Sequence, residues 1–178
     1  PPAPSSSYDL NIANTAVRSA GGQITLAADR VNIDSSVNAG AGRVVITPTT
    51  SMREISLGGS NEQYWLNLSA SEINNITAGE LQIGSATNTG GITIGGSGGP
   101  IAPAPSPLPY INLVTARDIS QLSGSSLQVS RLNAQGRSVS LGNSGNAFDA
   151  ISGSASAGSF AVTSGKAGPM AVGSISAT

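Results

Sequence analysis

Short runs with an apolar side chain at every second position recur along this chain, and each is closed by glycine, serine, asparagine or aspartate. They read QITLAA (23–28), RVNID (30–34), RVVIT (43–47), EISLG (54–58), WLNLS (65–69), LQIG (81–84) and GITIG (91–95). Beyond a gap come INLV (111–114), SLQVS (126–130), SVSLG (138–142), SFAVT (159–163) and MAVGSI (170–175). A period of two is the strand period, so each run predicts a strand with one apolar face. Such short strands fit poorly in a sandwich, whose strands run to about 5–6 residues. They fit stacked repeats, in which one turn of chain cannot bury its apolar face until its neighbours cover it. The runs recur loosely at about 20 residues, a repeat spacing. On this reading Ile24 and Leu26 are followed by Val45 and then by Leu66 and Leu68, and Ile111 and Leu113 by Leu127 and Val129. The predicted fold class is all-β, a parallel β-helix (β-solenoid) with short strands.

Composition narrows the chemistry. Aromatic residues make up 3% of the 178 and charged residues 10%, so the core must be aliphatic. The chain has no histidine and no cysteine, which excludes a Ser–His pair, a thiol nucleophile and any His- or Cys-ligated metal. Eight basic and nine acidic residues are scattered singly, so no nucleic-acid-binding patch is expected. No apolar run is long enough for a transmembrane segment. No cofactor is expected.

Two stretches leave the pattern. Residues 1–7 form a Pro/Ser linker. Residues 95–110 carry prolines at 100, 103, 105, 107 and 109 and cannot be a central strand, because proline lacks the backbone donor. A protruding Gly/Pro-rich loop is expected there. It separates two stretches of β-solenoid, 8–94 and 111–178, which are expected to form one continuous domain. Ser69-Ala70-Ser71-Glu72 has the spacing of a capping box and is followed by Ile73 and Ile76, which allows one helical turn as an alternative to a wide corner. Asparagine and serine at matching corners are expected to hydrogen-bond from one repeat to the next.

The run GGQITLAADRVNIDSSVNAGAGRVVITPTT, followed by REISLGG and LNLSASEINNITAGELQIGSATNTGGITIGG, resembles the repeat region of filamentous-haemagglutinin-like exoproteins, the large adhesins of two-partner secretion. The resemblance is clearest over about 21–95 and looser over 111–178. It implies a right-handed parallel β-helix, export to the outer bacterial surface, and adhesion or fibre formation. Nothing matches the secretion domain of that family, so the expected place is the repetitive shaft. Those repeats are architectural, so no catalytic residue is carried over.

Other functions leave only partial traces. A polysaccharide-degrading or carbohydrate-binding β-helix would need clustered carboxylates with a basic partner; Asp34 and Glu54, 20 residues apart, are the candidate pair. An ice-binding solenoid would need a regular threonine array, and Thr47, Thr49, Thr50, Thr87 and Thr89 supply only fragments. Asn67-Leu68-Ser69 and Asn75-Ile76-Thr77 have the form of glycosylation sites. The favoured reading is a structural and adhesive segment and not an enzyme. Its expected partners are neighbouring repeats, end to end, and a glycan or protein receptor. Tyr64, Trp65, Pro105, Pro107 and Tyr110 are the candidate surface contacts, with Trp65 facing away from Leu66 and Leu68 and lying under the proline loop. Phe148 and Phe160 are assigned to the core or an end.

Overall fold

The computed structural model describes residues 8–59, 64–95, 101 and 110–178. The chain is β-rich, with one short helix, and every strand pair is parallel. In chain order the first strands are β1 (Leu10–Ile12), β2 (Val17–Arg18), β3 (Ile24–Ala27), β4 (Val31–Ile33), β5 (Val37–Asn38) and β6 (Arg43–Thr47). Then come β7 (Glu54–Leu57), β8 (Trp65–Leu68), α1 (Ala70–Asn74), β9 (Ile76–Thr77), β10 (Glu80–Gly84) and β11 (Ile92–Ile94). The remainder are β12 (Tyr110–Val114), β13 (Ile119–Gln121), β14 (Gln128–Gly136), β15 (Val139–Leu141), β16 (Ala147–Ala155), β17 (Phe160–Val162) and β18 (Ala171–Ala177). Every alternating run identified in the sequence overlaps one of these strands.

The strands sort into a seven-stranded sheet ordered β18-β16-β14-β12-β10-β6-β3 and a six-stranded sheet ordered β17-β15-β13-β11-β7-β8. A three-stranded sheet, β2-β5-β9, and the pair β1-β4 complete the set. From β10 onward the chain alternates between the two large sheets. β10 pairs with β12, so the seven-stranded sheet continues from one side of residues 96–109 to the other; the protruding loop expected there, with Pro105 and Pro107, and the expected linker at 1–7 fall outside the described residues, save Ile101.

Alternation sets the core. In the seven-stranded sheet Ile24, Val44, Leu81, Ile111, Leu132 and Ile151 are in register on the inner face, beside Leu26, Ile46, Ile83, Leu113 and Ala134. All are buried. Facing them are Ile55, Ile92, Ile119 and Val139, also buried. Phe148 is fully buried and Phe160 packs against the core from the rim, in keeping with their sequence assignment. Each aliphatic side chain contributes roughly 1.5–3 kcal/mol when fully buried, which explains how so few aromatics suffice.

Two details of the repeat reading are corrected. The partners of Ile24 and Leu26 are Val44 and Ile46, while Val45 pairs with the outward Thr25; Leu66 and Leu68 belong to the other sheet. Ile111 and Leu113 pair with Leu132 and Ala134, not with Leu127 and Val129. In both cases the true register is a residue or more away from the best hydrophobic match, and a shift of one residue exchanges the two faces of a strand.

The order of β7 and β8 is reversed in space. β8 lies beside β4, and β7 is laid between β8 and β11. On the opposite side β10 pairs directly with β12. The segment around β7 therefore adds one extra rung, about 4.8 Å, to one side of the stack. Gly84, at φ +80°, sits at the neighbouring rung, where a Cβ would run into the Val114 carbonyl oxygen.

The capping box forms as its spacing suggested. Ser69 accepts from the Glu72 N–H at 3.2 Å, and the Ser69 N–H donates to Glu72 Oε2 at 2.8 Å. Glu72 also serves the neighbouring strand, because its Oε1 accepts from the N–H of Ile33 at 3.2 Å while Asn75 Nδ2 donates to the Ile33 carbonyl at 2.8 Å. Two side chains thus take the place of a strand where the helix interrupts the sheet. Glu72→Ala removes the cap and leaves the Ile33 donor unmet. It is expected to cost about 1.5–3 kcal/mol, read as a lower urea midpoint at unchanged slope.

Candidate functional site

Two surface regions carry the candidate contacts. The first is the segment that leads into and out of β7. Leu66 and Leu68 are fully buried and Trp65 is half-buried on the opposite face, as the alternation required. Beside it Tyr64 is 74% exposed, and Met52, not anticipated from sequence, is 75% exposed. These large apolar side chains stand on a fixed base. Arg53 donates to the Tyr64 carbonyl at 2.6 Å and to Asp29 Oδ2 at 3.0 Å. Asp29 further accepts from the Thr49 hydroxyl at 3.0 Å, from the Thr50 N–H at 2.7 Å and from the Thr50 hydroxyl. Burial raises the Asp29 pKa, but the bonds from Thr50, Arg53 and Thr49 outweigh it and hold the carboxyl well below the usual carboxylate range. Thr49 and Thr50, though exposed, are therefore engaged by Asp29.

The second region is the outer face of the seven-stranded sheet. Register places Arg43, Glu80, Tyr110, Arg131, Ala150 and Ala171 cross-strand from one another in succession wherever strands pair. Glu80 pairs with Arg43 at 3.5 Å and accepts from Asn112 Nδ2 at 3.1 Å. The Arg131 guanidinium lies over the Tyr110 ring, 5.2 Å from its centroid. Burial, then the charge of Glu80, pushes the Tyr110 phenol above its usual value, so it stays neutral and available as a donor. One column over, Asn133 Nδ2 donates to Asn112 Oδ1 at 2.8 Å, and the Ser152 hydroxyl donates to Asn133 Oδ1 at 3.1 Å. Asn32 and Asn11 repeat the motif on β4 and β1 at 2.8 Å. Amides hydrogen-bond from repeat to repeat on these strands and also at a corner, where Asn143 Nδ2 donates to the Leu122 carbonyl at 2.6 Å and to Ser125 Oγ at 3.4 Å.

Next to Arg131 the side chains shrink abruptly. Ala150, Ser152, Ala171 and Gly173 floor an open notch of about 200 Å³, walled by Tyr110 and Arg131. A β-bulge widens it: Ile151 pairs with Val172 but Gly153 with Ile175, so Gly173 and Ser174 oppose the single residue Ser152.

Tyr110 and Trp65 lie in different sheets, so no joint aromatic platform forms. Asp34 and Glu54 are not brought together as a pair. Asp34 follows the last residue of β4 and accepts from Asn32 at 2.8 Å, whereas Glu54 opens β7 and accepts from the Gly91 N–H at 2.7 Å. Among the described residues no group of three or more acidic side chains could hold a metal ion. Asn75, in one glycosylation-type sequence, is engaged with Ile33. No helix of the described residues is long and apolar enough to cross a membrane.

Comparison of the chain with family models, with curated proteins and with solved structures finds no match. What the chain does must be argued from its own residues.

Proposed function

We propose that the chain is a length of right-handed parallel β-solenoid that serves as a stiff, adhesive shaft on the outside of a bacterium, in the manner of the filamentous-haemagglutinin-like exoproteins its sequence resembles. The observation that carries the reading is the repetition of register. From β12 to β16 each strand of the seven-stranded sheet pairs with one 19 or 21 residues further on, with the aliphatic columns kept inside. An architecture of this kind gains length by adding equivalent turns, each covering the last, with no new design of core.

All seven residues of β18 are exposed, and Val172, in line with the inner column, is 61% exposed, whereas Ile24 and Leu26 of β3 are buried. Neighbouring repeats joined end to end are the expected partners, and a cell-surface glycan or protein is the expected receptor. The Met52–Tyr64–Trp65 patch, shared between the additional rung and the neighbouring β8, is a contact surface of the kind that anchors interfaces.

Antibody against the purified chain should label intact producing cells, and protease added to whole cells should remove the label. Labelling only after lysis would overturn the reading. The double variant Met52→Ser, Tyr64→Ser should reduce retention of target cells on a surface coated with the chain by about fivefold or more, with the melting temperature unchanged, because both side chains are mostly in solvent.

A further inference from the structure

We propose that the notch beside Arg131 binds an acidic pyranose, a sugar ring bearing a carboxylate such as a hexuronate. The inference deepens the adhesive reading by naming a ligand class, and rests on that reading only for its biological purpose.

The cation of the notch is one of three, with Arg18 and Arg117, that no carboxylate of the described residues pairs, and of the three it is the one that lies over a ring. Five basic residues, Arg30, Arg43, Arg53, Arg137 and Lys166, are ion-paired to carboxylates of the chain. Arg131 has no such partner among the described residues; it faces a ring instead. A place over the ring leaves the guanidinium N–H groups free of any carboxylate of the described residues, and a planar fork of donors is the geometry that takes a carboxylate through two bonds. The nearby acid that could have neutralised it, Glu80, is engaged by Arg43 and Asn112.

The floor selects the rest of the ligand. Ala150, Ala171 and Gly173 present methyl, methine and methylene groups, a match for the apolar face of a sugar ring. Ser152 commits its hydroxyl proton to Asn133 and keeps lone pairs to accept from a sugar hydroxyl. At about 200 Å³ the notch is below the roughly 300–1,000 Å³ of pockets that enclose larger ligands, and its open side lets a single ring enter as part of a longer chain. The bulge at Gly173 makes the room, and a residue larger than glycine there would press on the Ser152 Cβ.

The test is a titration of the isotopically labelled full chain with a glucuronic-acid-containing disaccharide, followed by amide NMR shifts. Saturable shifts are expected at Arg131, Ser152 and Gly173. Arg131→Gln, which removes the cation, and Ala150→Leu, which fills the notch, should each weaken binding by about tenfold or more, with thermal melts establishing that both variants fold. A neutral disaccharide of the same size should bind at least tenfold more weakly. Absence of saturable shifts, equal binding by the neutral sugar, equal binding by acetate, or full affinity in folded Arg131→Gln would each overturn the proposal. None of those failures would alter surface labelling of whole cells, so the two readings fail separately.

Discussion

Asn146→Leu is expected to lower the unfolding free energy by about 3–5 kcal/mol, the largest effect of any single polar substitution in the described residues. Asn146 is 1% exposed, and its amide joins three successive levels of the stack. Its Oδ1 accepts from Gln121 Nε2 at 2.7 Å and from the Leu127 N–H at 2.9 Å. Its Nδ2 donates to Gln121 Oε1 at 2.9 Å and to the carbonyls of Leu141 and Thr163, both at 3.2 Å. Gln121 itself occupies a position in register with the buried Ile94. The reciprocal amide pair is what makes a polar residue tolerable there. A leucine of similar size fills the space but leaves the Leu127 N–H without a partner and takes two bonds from Gln121, which keeps those to the Ser125 carbonyl at 3.3 Å and the Asn143 N–H at 3.2 Å, and each unmet buried group costs about 1–3 kcal/mol. Urea unfolding of the variant measures this directly. A loss below about 1 kcal/mol would mean that water reaches the site and replaces the amide.

Removal of the Asp29 carboxylate comes second, with Asp29→Ala expected to cost about 2–4 kcal/mol. The side chain is 14% exposed and that of Arg53 19%, so the substitution leaves a largely covered guanidinium without its counter-charge and the donors of Thr49 and Thr50 without an acceptor. The same site gives a pH dependence with a definite sign. The folded carboxyl is held well below its unfolded value of about 3.9, so the folded state binds its proton less readily. Its stabilising contribution is complete above pH about 4 and is lost as the pH falls below that towards the folded value. Stability measured against pH should therefore decline below pH 4 more steeply for the parent than for Asp29→Asn. Parallel curves over that range would show that Asp29 is not the group responsible.

The legible features of this molecule were those set by neighbours in sequence. Period-two alternation located twelve of the eighteen strands of the described residues and put Trp65 outside and Leu66 and Leu68 inside. The Ser69–Glu72 spacing offered the helical turn as one of two alternatives, because a capping box is complete within four residues. Features that depend on register were not legible. Tyr110 was singled out, but its stacking partner Arg131 is 21 residues away and is recognised only once β12 and β14 are aligned. The signal was present, since Asn112–Asn133–Ser152 and Tyr110–Arg131–Ala150 share the spacings 21 and 19. The long strand β14 escaped notice beyond its first residues, and β16 altogether, because Ala134 and Gly153 fill inner positions with little or no side chain, which erases the hydrophobic alternation. The spatial exchange of β7 and β8 has no local sign at all. Two short aliphatic strands are interchangeable by pattern, and the choice is made by side chains such as Arg53 and Asp29 that tie the added segment down.

The most direct test of the proposal that this chain is a turn-upon-turn shaft is cryo-electron microscopy of the purified native material that contains it. The account predicts thin, unbranched rods with a repeat of about 4.8 Å along the rod axis, the spacing of strands stacked perpendicular to it. Compact particles without an axial repeat, or rods whose strands run along the axis, would contradict it.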